Sequence, residues 1–439
     1  MIVLDQKIYD FIGIGVGPYN LSLAALTEDM EDIDRIFFDQ TPKMEWHPGM
    51  LIEGTDLQVP FMADLVTFAD PTSRFSYLNY LKEHDRLYKF FFFKKLEVPR
   101  NEYNDYLQWA TDQISGVYFG KKVVDMVDHS DDQGAYYELV ILDMDTHKTE
   151  RYYAKHVVMA TGSEPFLLDN MQGFPNEDVI HTSRYLYEKE ALMKSDHITI
   201  VGSGQSAAEI FYDLLEEREN YEFHLSWLTR SEGIFQLEAA KIGQEFFSPD
   251  YIDYFHQLPL DKRKEALDTL DPLRHGIDIS TLNGIYDMLY HYSVGEEDPK
   301  ITIQPLTEVN NIEKHDQGYL LKCQQWQEET AFVYQTEKVI VATGYKPNIP
   351  EWFLERYKDE IVWEDEHLFK VKRNYELTFK EPKANKFYIV TNLEHSHGTA
   401  ATNLGLAVQR NMEIINDLTG EERFKLKKPQ TFQRFAPKI

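Results

Sequence analysis

Cysteine is nearly absent from this 439-residue sequence, which contains a single thiol, at Cys323. One cysteine excludes an internal disulfide, a cysteine-pair redox motif and a cysteine-rich metal site. The sequence also lacks an apolar run long enough to cross a bilayer, and no basic leader precedes its first strand-like segment, Ile8–Ile14. We therefore expect a cytoplasmic protein with no membrane partner and no bound metal.

Positive charge is scarce as well, since 45 lysines and arginines stand against 74 aspartates and glutamates and leave a net charge of −29. This excess would repel the phosphates of nucleic acids, so a nucleic-acid partner is not expected. A cationic substrate would be attracted instead. The excess carboxylates have a second interpretation, in which they only keep the protein soluble.

Two segments, Tyr9–Pro18 and His197–Ser206, share the pattern of an apolar strand that enters a glycine turn. A helical pattern follows each turn, over Leu21–Leu26 and Ala207–Leu215. A helix that starts at such a turn points its free backbone N–H groups at a phosphate. The pattern therefore predicts two dinucleotide-binding βαβ units, and two later strands that end in Ala-Thr-Gly would close them.

The first turn fits a nucleotide with an unphosphorylated adenosine ribose. Gly13 and Gly15 open a G-x-G-x-x-G motif, in which missing Cβ atoms let the backbone approach a pyrophosphate, and Pro18 takes the place of the third glycine. Proline suits the first residue of a helix. Asp39 ends the next predicted strand at the spacing of a carboxylate that binds a free 2′-hydroxyl, as in FAD or NAD.

The second turn differs in its acidic position. Gly202, Gly204 and Ala207 form a G-x-G-x-x-A motif, but the following strand ends in Thr229-Arg230-Ser231 without a carboxylate. A guanidinium and hydroxyl groups can bind a 2′-phosphate, which favours NADPH over NADH. The alternative is that Arg230 is a solvated surface charge. Two such units without a redox cysteine pair indicate an enzyme that passes electrons from NADPH through FAD to oxygen.

These features predict an α/β protein with two Rossmann-like dinucleotide-binding domains and a small substrate-binding subdomain. Residues 1–190 and 350–439 are expected to form the FAD-binding domain and to include C-terminal elements of the substrate site. Residues 191–349 are expected to form the NADPH-binding domain, with a helical substrate-site segment inserted at about 235–295.

Several longer motifs allow a family to be recognised. The sequence resembles the flavin-dependent N-hydroxylating monooxygenases of hydroxamate siderophore biosynthesis, which include lysine and ornithine N-monooxygenases and their diamine-using relatives. The motifs that carry this resemblance cover nearly the whole chain and are Asp10–Leu23, Trp46–Met50, Asp64–Thr67, Asp70–Ser73, Val201–Glu209, Phe247–Tyr251, Ala342–Tyr345 and His397-Gly398.

The resemblance implies a reaction in which NADPH reduces FAD, O2 forms a flavin hydroperoxide, and an uncharged primary amine takes one oxygen atom to become a hydroxylamine. It implies few acid–base groups in the protein, and no catalytic side chain is assigned. The implied FAD contacts are Gly13, Gly15, Gly17, Pro18, Asp39, Trp46, His47, Gln58, His397, Gly398 and Leu404. The implied NADPH contacts are Gly202, Gly204, Gln205, Ser206, Arg230 and Tyr345. Without the flanking motifs, Trp46 and His47 would be interpreted as an aromatic pair at a core edge.

The predicted substrate site departs from the pattern of the amino-acid hydroxylases. Those enzymes usually have a lysine that binds the substrate α-carboxylate where this chain has Ala63. Gly405, after Asn403, stands where the ornithine enzymes usually have serine, and Gln244 stands where they have asparagine. A substrate without a carboxylate needs no such cation, so a diamine such as putrescine or cadaverine is expected. L-Lysine or L-ornithine remains the alternative if another cation replaces the lysine.

Three acids, Glu238, Glu245 and Asp278, are candidates by position to bind the distal ammonium of a diamine. Phe90–Lys95 is apolar enough for an interface, although a buried core is the favoured interpretation. The resemblance implies a homo-oligomer, and tetramers are common in the family. Two other functions stay open: oxygenation of a ketone or sulfide, and a non-catalytic flavin-binding module.

Overall fold

A computed structural model describes residues 7–131, 134–295, 300–426 and 428–437. Its strands, in chain order, are β1 Ile8–Ile14, β2 Arg35–Phe38, β3 Asp56–Pro60, β4 Glu97–Pro99, β5 Val117–Tyr118, β6 Lys121–Asp131, β7 Gly134–Asp143, β8 Thr149–Met159, β9 Ser163–Pro165, β10 Val179–His181, β11 His197–Val201, β12 His224–Leu228, β13 Ile301–Gln304, β14 Thr307–His315, β15 Gly318–Gln325, β16 Thr330–Thr336, β17 Lys338–Val341, β18 Tyr345–Pro347, β19 Trp363–Asp365, β20 Leu368–Phe369 and β21 Phe387–Ile389.

The α-helices are α1 Pro18–Thr27, α2 Tyr77–Glu83, α3 Leu87–Phe93, α4 Arg100–Thr111, α5 Tyr185–Leu192, α6 Gln205–Glu217, α7 Pro249–His256, α8 Leu260–Thr269, α9 Ile279–Tyr292, α10 Glu351–Tyr357, α11 Glu394–His397 and α12 Ala407–Thr419. Among the described residues, no helix is both long enough and apolar enough to span a membrane.

The first sheet contains the first predicted βαβ unit. Its strands lie in the order β5-β2-β1-β8-β7-β6, and β21 pairs with β8. β1 is parallel to both β2 and β8, whereas β6, β7 and β8 form an antiparallel ribbon. Because β1 is central and its last four residues are buried, its apolar residues can pack on both faces of the sheet. α1 connects β1 to β2 and packs against α12.

The second sheet contains the second unit, and its five strands lie in the order β10-β17-β11-β12-β13. All four strand pairs are parallel. α6 connects β11 to β12, as the glycine turn and the apolar helix pattern predicted. The prediction of an α/β protein with two Rossmann-like units is therefore confirmed.

The second sheet includes chain from before residue 191. β10 pairs with the edge of β17, so Val179–His181 lies in the second sheet although we expected this stretch in the first domain. These three residues are all buried, and they complete the edge of the second sheet by pairing with β17, which lies far away in the chain. The segments after the two Ala-Thr-Gly turns, β9 and β18, pair with each other in an antiparallel ribbon.

The prediction that Phe90–Lys95 belongs to the buried core was wrong. α3 has no buried residue, and Tyr88, Phe91 and Phe92 are 79%, 70% and 67% exposed. Phe90 alone turns inward, where its ring contacts Phe61 at a centroid distance of 5.6 Å. A helix of seven residues has room for one inward-facing aromatic side chain, and the remaining rings stay in solvent.

Candidate active site

The first glycine turn is tight because two of its glycines have no space for a side chain. A Cβ on Gly13 would lie 2.1 Å from the Phe37 ring, and one on Gly15 would lie 2.4 Å from the Ala160 carbonyl oxygen. Gly15 also has a φ of +86°, which glycine adopts without strain. The Asn20 amide donates to the Gly15 carbonyl over 2.8 Å and holds the turn against α1.

The start of α1 is open. Gly17 is the N-cap, Pro18 is the first helical residue, and no side chain of the described residues caps the helix. A Cβ on Gly17 would meet no atom within 4 Å. Asp39 follows β2, and its carboxylate accepts a 2.7 Å hydrogen bond from the backbone N–H of Val16 in the turn. The turn therefore presents unused helix N–H groups and an acid beside open space, which fits a dinucleotide pyrophosphate and ribose.

The second turn repeats this geometry. Gly202 has a φ of +138°, and a Cβ there would lie 2.3 Å from the Ala342 carbonyl oxygen. Gly204 is the N-cap of α6 and also faces open space within 4 Å. The Ser231 hydroxyl donates to the Ser203 hydroxyl over 2.8 Å, which places the end of β12 and the exposed Arg230 beside the turn. This arrangement fits a second dinucleotide with an anionic ribose substituent.

The first two residues of α6 differ in their surroundings. Gln205 donates to Glu209 over 2.9 Å, and its side-chain oxygen accepts from the Asp278 backbone N–H over 2.8 Å. Both ends of the Gln205 amide are therefore engaged within the protein. Ser206 is partly buried in the first turn of α6. Gln205 thus links the glycine turn to the start of α9.

A buried ion pair joins the two units. Arg100, at the start of α4, donates to both carboxylate oxygens of Glu209 on α6, over 2.8 Å and 2.7 Å. The same guanidinium donates to the Met50 carbonyl oxygen over 3.1 Å. Glu209 is 2% exposed, so removal of either partner would leave a charge with little access to water.

Aromatic rings line the place where the units meet. The His47 ring lies 4.8 Å from Trp46 and 5.6 Å from Tyr345, and Tyr345 lies 5.1 Å from His181. His47 keeps an open edge, yet burial and then the charge of Arg100 lower its pKa to about 4. An anionic nucleotide bound beside His47 would raise this pKa, because a nearby negative charge favours the imidazolium form.

The C-terminal residues assigned to the flavin side are mostly covered. His397 is fully buried, its ring stacks on Tyr375 at 4.3 Å, and both nitrogens lie within hydrogen-bond distance of protein atoms. Burial, followed by Arg373 and His256, holds the pKa of His397 well below its usual range. His397 therefore supports the following segment instead of facing an open site.

That segment begins at Gly398, where φ is +72° and a Cβ would lie 3.1 Å from the Phe255 ring. Leu404 is partly buried against the core of the first unit. Gln58 lies on β3 and is exposed.

Two of the substrate-site departures meet in the structure. Ala63 is buried, and a Cβ added to Gly405 would lie 3.7 Å from the Ala63 Cβ. The Asn403 side-chain oxygen accepts a 2.8 Å hydrogen bond from the Gly405 N–H and fixes this turn. Amino-acid hydroxylases usually have lysine at the position of Ala63, and the ornithine enzymes usually have serine at the position of Gly405. Here the two positions lie side by side and hold a methyl group and a glycine.

Asp64 fixes the segment that carries Ala63. Its carboxylate accepts hydrogen bonds from the N–H groups of Val66, Thr67 and Tyr77, over 3.0, 2.7 and 2.8 Å. Burial raises the pKa of Asp64, and the hydrogen bonds oppose this increase. The Asp-Leu-Val-Thr motif thus forms a turn that holds Ala63 in place.

Gln244 lies on a short 3-10 turn, Gly243–Phe246, and is exposed. Its amide donates to the Glu238 carbonyl oxygen over 3.0 Å. The Thr399 hydroxyl donates to the Phe246 carbonyl oxygen over 3.2 Å, so the turn is tied to the segment that leads to Gly405. Gln244 is thereby brought to the same part of the molecule as Asn403 and Gly405.

The three acids proposed for the distal ammonium already have structural partners. Glu238 accepts from the Ala240 N–H over 2.7 Å, and Asp278 caps α9 by accepting from the Ser280 N–H over 2.8 Å. Glu245 accepts from two backbone N–H groups near the C-terminus, both over 2.9 Å. Each of these carboxylates therefore already accepts hydrogen bonds from the backbone, which explains its presence without a substrate.

The arginines around this site are also engaged. Arg263 pairs with Glu364 at 2.9 Å, Arg274 with Glu394 at 2.5 Å, and Arg373 with Asp253 at 2.7 Å and Glu413 at 2.6 Å. Arg410 is buried under the Tyr19 ring and donates to the Ala401 carbonyl oxygen over 2.7 Å. A substrate carboxylate would compete with these partners.

Sequence reasoning missed Arg100, Glu209, Asn20 and Asp64 as individual residues. Three of them lie inside motifs that carried the family resemblance, but no role followed from the motif itself. A signal existed for Glu209, because it is a charged residue on the apolar face of α6, where burial requires a partner. Nothing in the sequence points to Arg100 as that partner.

Two glycine turns, two helices with open N-termini and an aromatic junction define a protein built to hold two dinucleotides. The chain belongs to the L-lysine 6-monooxygenase/L-ornithine 5-monooxygenase family, whose model matches residues 7–347. It is therefore a monooxygenase, and the non-catalytic flavin-binding module is not favoured.

Similar proteins include two putrescine N-hydroxylases. The one from Shewanella oneidensis is 38% identical over 99% of this chain and 85% of its own length. The one from Acinetobacter baumannii is 36% identical over 99% of this chain and 95% of its own. Among solved structures, the FAD-bound cadaverine monooxygenase DfoA of Erwinia amylovora has a TM-score of 0.93 and 36% identity, covering 99% of this chain and 100% of that one.

Proposed function

We propose that this protein uses FAD, NADPH and O2 to hydroxylate one amino group of an aliphatic diamine such as putrescine or cadaverine. The product is an N-hydroxydiamine for hydroxamate siderophore biosynthesis. The observation that carries the substrate class is the placement of buried Ala63 beside Gly405, since a Cβ added to Gly405 would lie 3.7 Å from the Ala63 Cβ and neither residue carries a charge. The similar putrescine N-hydroxylases and the similar cadaverine monooxygenase support the same class.

The first glycine turn would hold FAD. Gly17 leaves the start of α1 open to a pyrophosphate, Gly13 and Gly15 allow the tight turn before it, and Asp39 would bind the ribose. Trp46 and His47 would flank the nucleotide where the units meet. Pro18, Gln58, Gly398, Leu404 and His397 complete the proposed FAD site, with His397 acting through the segment that it supports.

The second glycine turn would hold NADPH. Gly204 leaves the start of α6 open, Gly202 allows the tight turn before it, and exposed Arg230 would pair with the 2′-phosphate. Tyr345 would contact the nicotinamide half at the aromatic junction, while Gln205 and Ser206 would form the floor at the start of α6.

When bound, the flavin supplies the oxygen activation, so the protein has to position the amine and keep water away. An alkylammonium has an ordinary pKa of about 10.4 and reacts only after it loses its proton. Ala63 would offer an apolar wall, and desolvation there would favour the neutral amine. The net charge of −29 would draw the dication toward the protein.

We also propose a homo-oligomer in the cytoplasm. The exposed Tyr88, Phe91 and Phe92 on α3 support self-association, because an apolar patch on a protein surface is costly to leave in water. The single, buried cysteine suits a reducing compartment.

The substitution Ala63→Lys tests the substrate class. A lysine at this buried position would repel a dicationic substrate and restore a cation for an amino acid, so kcat/KM for putrescine and cadaverine should fall at least tenfold, about 1.4 kcal/mol. Met62→Lys is the matched control, since Met62 adjoins Ala63 but is exposed. Equal losses in both variants would contradict the proposal.

The Lys241→Ala variant tests the alternative of a relocated cation. Lys241 is an exposed cation that lies shortly before Gln244 in the same loop. We expect this variant to turn over diamines as the wild type does. Activity of the wild type on lysine or ornithine that disappears in Lys241→Ala would support the relocated cation and overturn the diamine assignment.

A further inference from the structure

The C-terminal segment 428–437, here called the tail, lies across the helical part of the site. Lys428 pairs with Asp253 on α7, and the Gln430 N–H donates to Asp250 over 2.5 Å at the start of the same helix. Phe432 on the tail is 97% exposed, so its side chain does not anchor the tail. Polar contacts with the helical segment 235–295 help to define the path of the tail.

Glu245 makes the most specific of these contacts. Its Oε1 accepts from the Phe432 N–H and its Oε2 from the Gln433 N–H, both over 2.9 Å. The Gln433 side chain returns a 2.5 Å hydrogen bond to the Ile242 carbonyl oxygen. The two backbone N–H bonds lower the pKa of Glu245, which keeps its carboxylate ionised. One carboxylate thus spans two successive peptide groups of the tail.

An aromatic contact adds to the carboxylate. The Phe435 ring lies 5.2 Å from Phe246 and 5.0 Å from Tyr251, and Phe246 contacts Tyr251 at 4.8 Å. Phe246 is the last residue of the turn that carries Gln244 and Glu245. The tail therefore holds this turn at both an acid and an aromatic side chain.

The turn Gly243–Phe246 also contacts the segment beside Ala63. Thr399 binds the Phe246 carbonyl oxygen over 3.2 Å, and Ile252 of α7 packs with Ala400 and Leu406. Leu406 directly follows Gly405, whose Cβ position lies 3.7 Å from Ala63. A continuous set of contacts thus runs from the tail through the turn to the substrate-side segment.

We propose that Glu245 is a positioning residue which, by binding the tail, fixes the turn Gly243–Phe246 against the segment Thr399–Leu406 and so sets the amine site. The proposal deepens the function proposed above and rests on it for the choice of amine. Glu245 binds no substrate in this account. Its loss should loosen the amine site, while both glycine turns keep their own contacts.

The test compares Glu245→Ala, Glu245→Gln and a chain that ends at Lys425 with the wild-type enzyme. We expect the amine KM to rise about tenfold in Glu245→Ala, as the loss of a hydrogen-bonded charge implies, and hydroxylamine formed per NADPH to fall. Glu245→Gln retains one acceptor oxygen, so its amine KM should lie between those of the wild type and Glu245→Ala. The shortened chain should match Glu245→Ala, and FAD content and the NADPH KM should stay within twofold of wild type.

The matched control is Glu265→Gln, which removes a carboxylate of the same helical segment, 235–295, that pairs with exposed Lys262. It should behave as wild type. The positioning role is overturned if the amine KM and the hydroxylamine yield are unchanged in the folded variants. It is also overturned if FAD content and the NADPH KM deteriorate in parallel with them, which a general loss of structure would cause.

The two proposals fail in different ways. If the wild type hydroxylates lysine or ornithine in place of diamines, the substrate proposal fails, and the variants are compared with that amino acid. A tenfold rise in its KM in Glu245→Ala would still support the positioning role. An unchanged KM would overturn that role whichever amine is used.

Discussion

Gly17 and Gly204 hold equivalent places, each as the N-cap of the helix that follows a glycine turn. Their φ angles of −84° and −86° are open to any residue, and a Cβ at either position would meet no atom within 4 Å. Gly13, Gly15 and Gly202 are different, because a side chain there would collide with the protein itself. The fold therefore requires Gly13, Gly15 and Gly202, whereas a bound ligand is needed to explain Gly17 and Gly204.

The substitutions Gly17→Val and Gly204→Val test this distinction. Gly17→Val should yield a folded protein that lacks FAD, because the side chain fills the space in front of α1. Gly204→Val should retain FAD and raise the NADPH KM more than tenfold, by about 1.4 kcal/mol or more. Flavin absorbance and NADPH kinetics provide the measurements, and each variant is the control for the other. Equal FAD loss in both would count against two separate nucleotide sites.

At the scale of elements, α6 does two things. Its first residues follow the second glycine turn, and Glu209 on its buried face binds Arg100 of α4. Gln205 connects both functions, since its amide binds Glu209 and the start of α9. This buried ion pair, together with the packing of Met50 and Ile52 in the apolar core around α6, thus fixes α6 against the first unit.

Glu209→Gln should therefore lower the free energy of unfolding by about 3 kcal/mol, because Arg100 would keep a buried charge without a carboxylate. Glu216→Gln, an exposed change on the same helix, is the matched control and should have little effect. Chemical denaturation measures both, and the NADPH KM reports any shift of α6. Indistinguishable unfolding curves for the two variants would show that the ion pair does not hold the units together.

Elements with a strong local pattern were predictable from the sequence, and elements defined by distant partners were not. β1, α1, β11 and α6 follow from apolar runs and glycine turns, and the structure confirms them. β10 could not be assigned to the second sheet, because its edge position depends on β17, far away in the chain. α3 misled for the opposite reason, since its aromatic composition suits a core that its short length does not reach.

The site shows the same division. Ala63 and Gly405 could be selected because each replaces a residue that the family pattern makes recognisable, and the structure places them in contact range. The contact of Glu245 with the tail was beyond prediction, because its partners are backbone N–H groups with no sequence signature. For the same reason, Glu245 looked like an available acid in the sequence.

At the scale of the whole molecule, α3 presents an aromatic surface edged by Lys89, Lys94 and Lys95 on a protein of net charge −29. Such a surface complements the acidic surface of a second copy. The double substitution Phe91→Asp with Phe92→Asp should therefore reduce the molar mass measured by light scattering. Tyr187→Asp, at another exposed aromatic residue, is the control. An unchanged mass in the double variant would contradict the proposed self-association through α3.

The central claim is that the substrate is a diamine without a carboxylate, and the most direct measurement is the hydroxylamine formed per NADPH oxidised. Putrescine and ornithine form one matched pair, and cadaverine and lysine form another, because each pair differs only in the carboxylate. We predict hydroxylamine from putrescine or cadaverine and little or none from the amino acids, since Ala63 offers no cation. Product from lysine or ornithine alone would contradict the account.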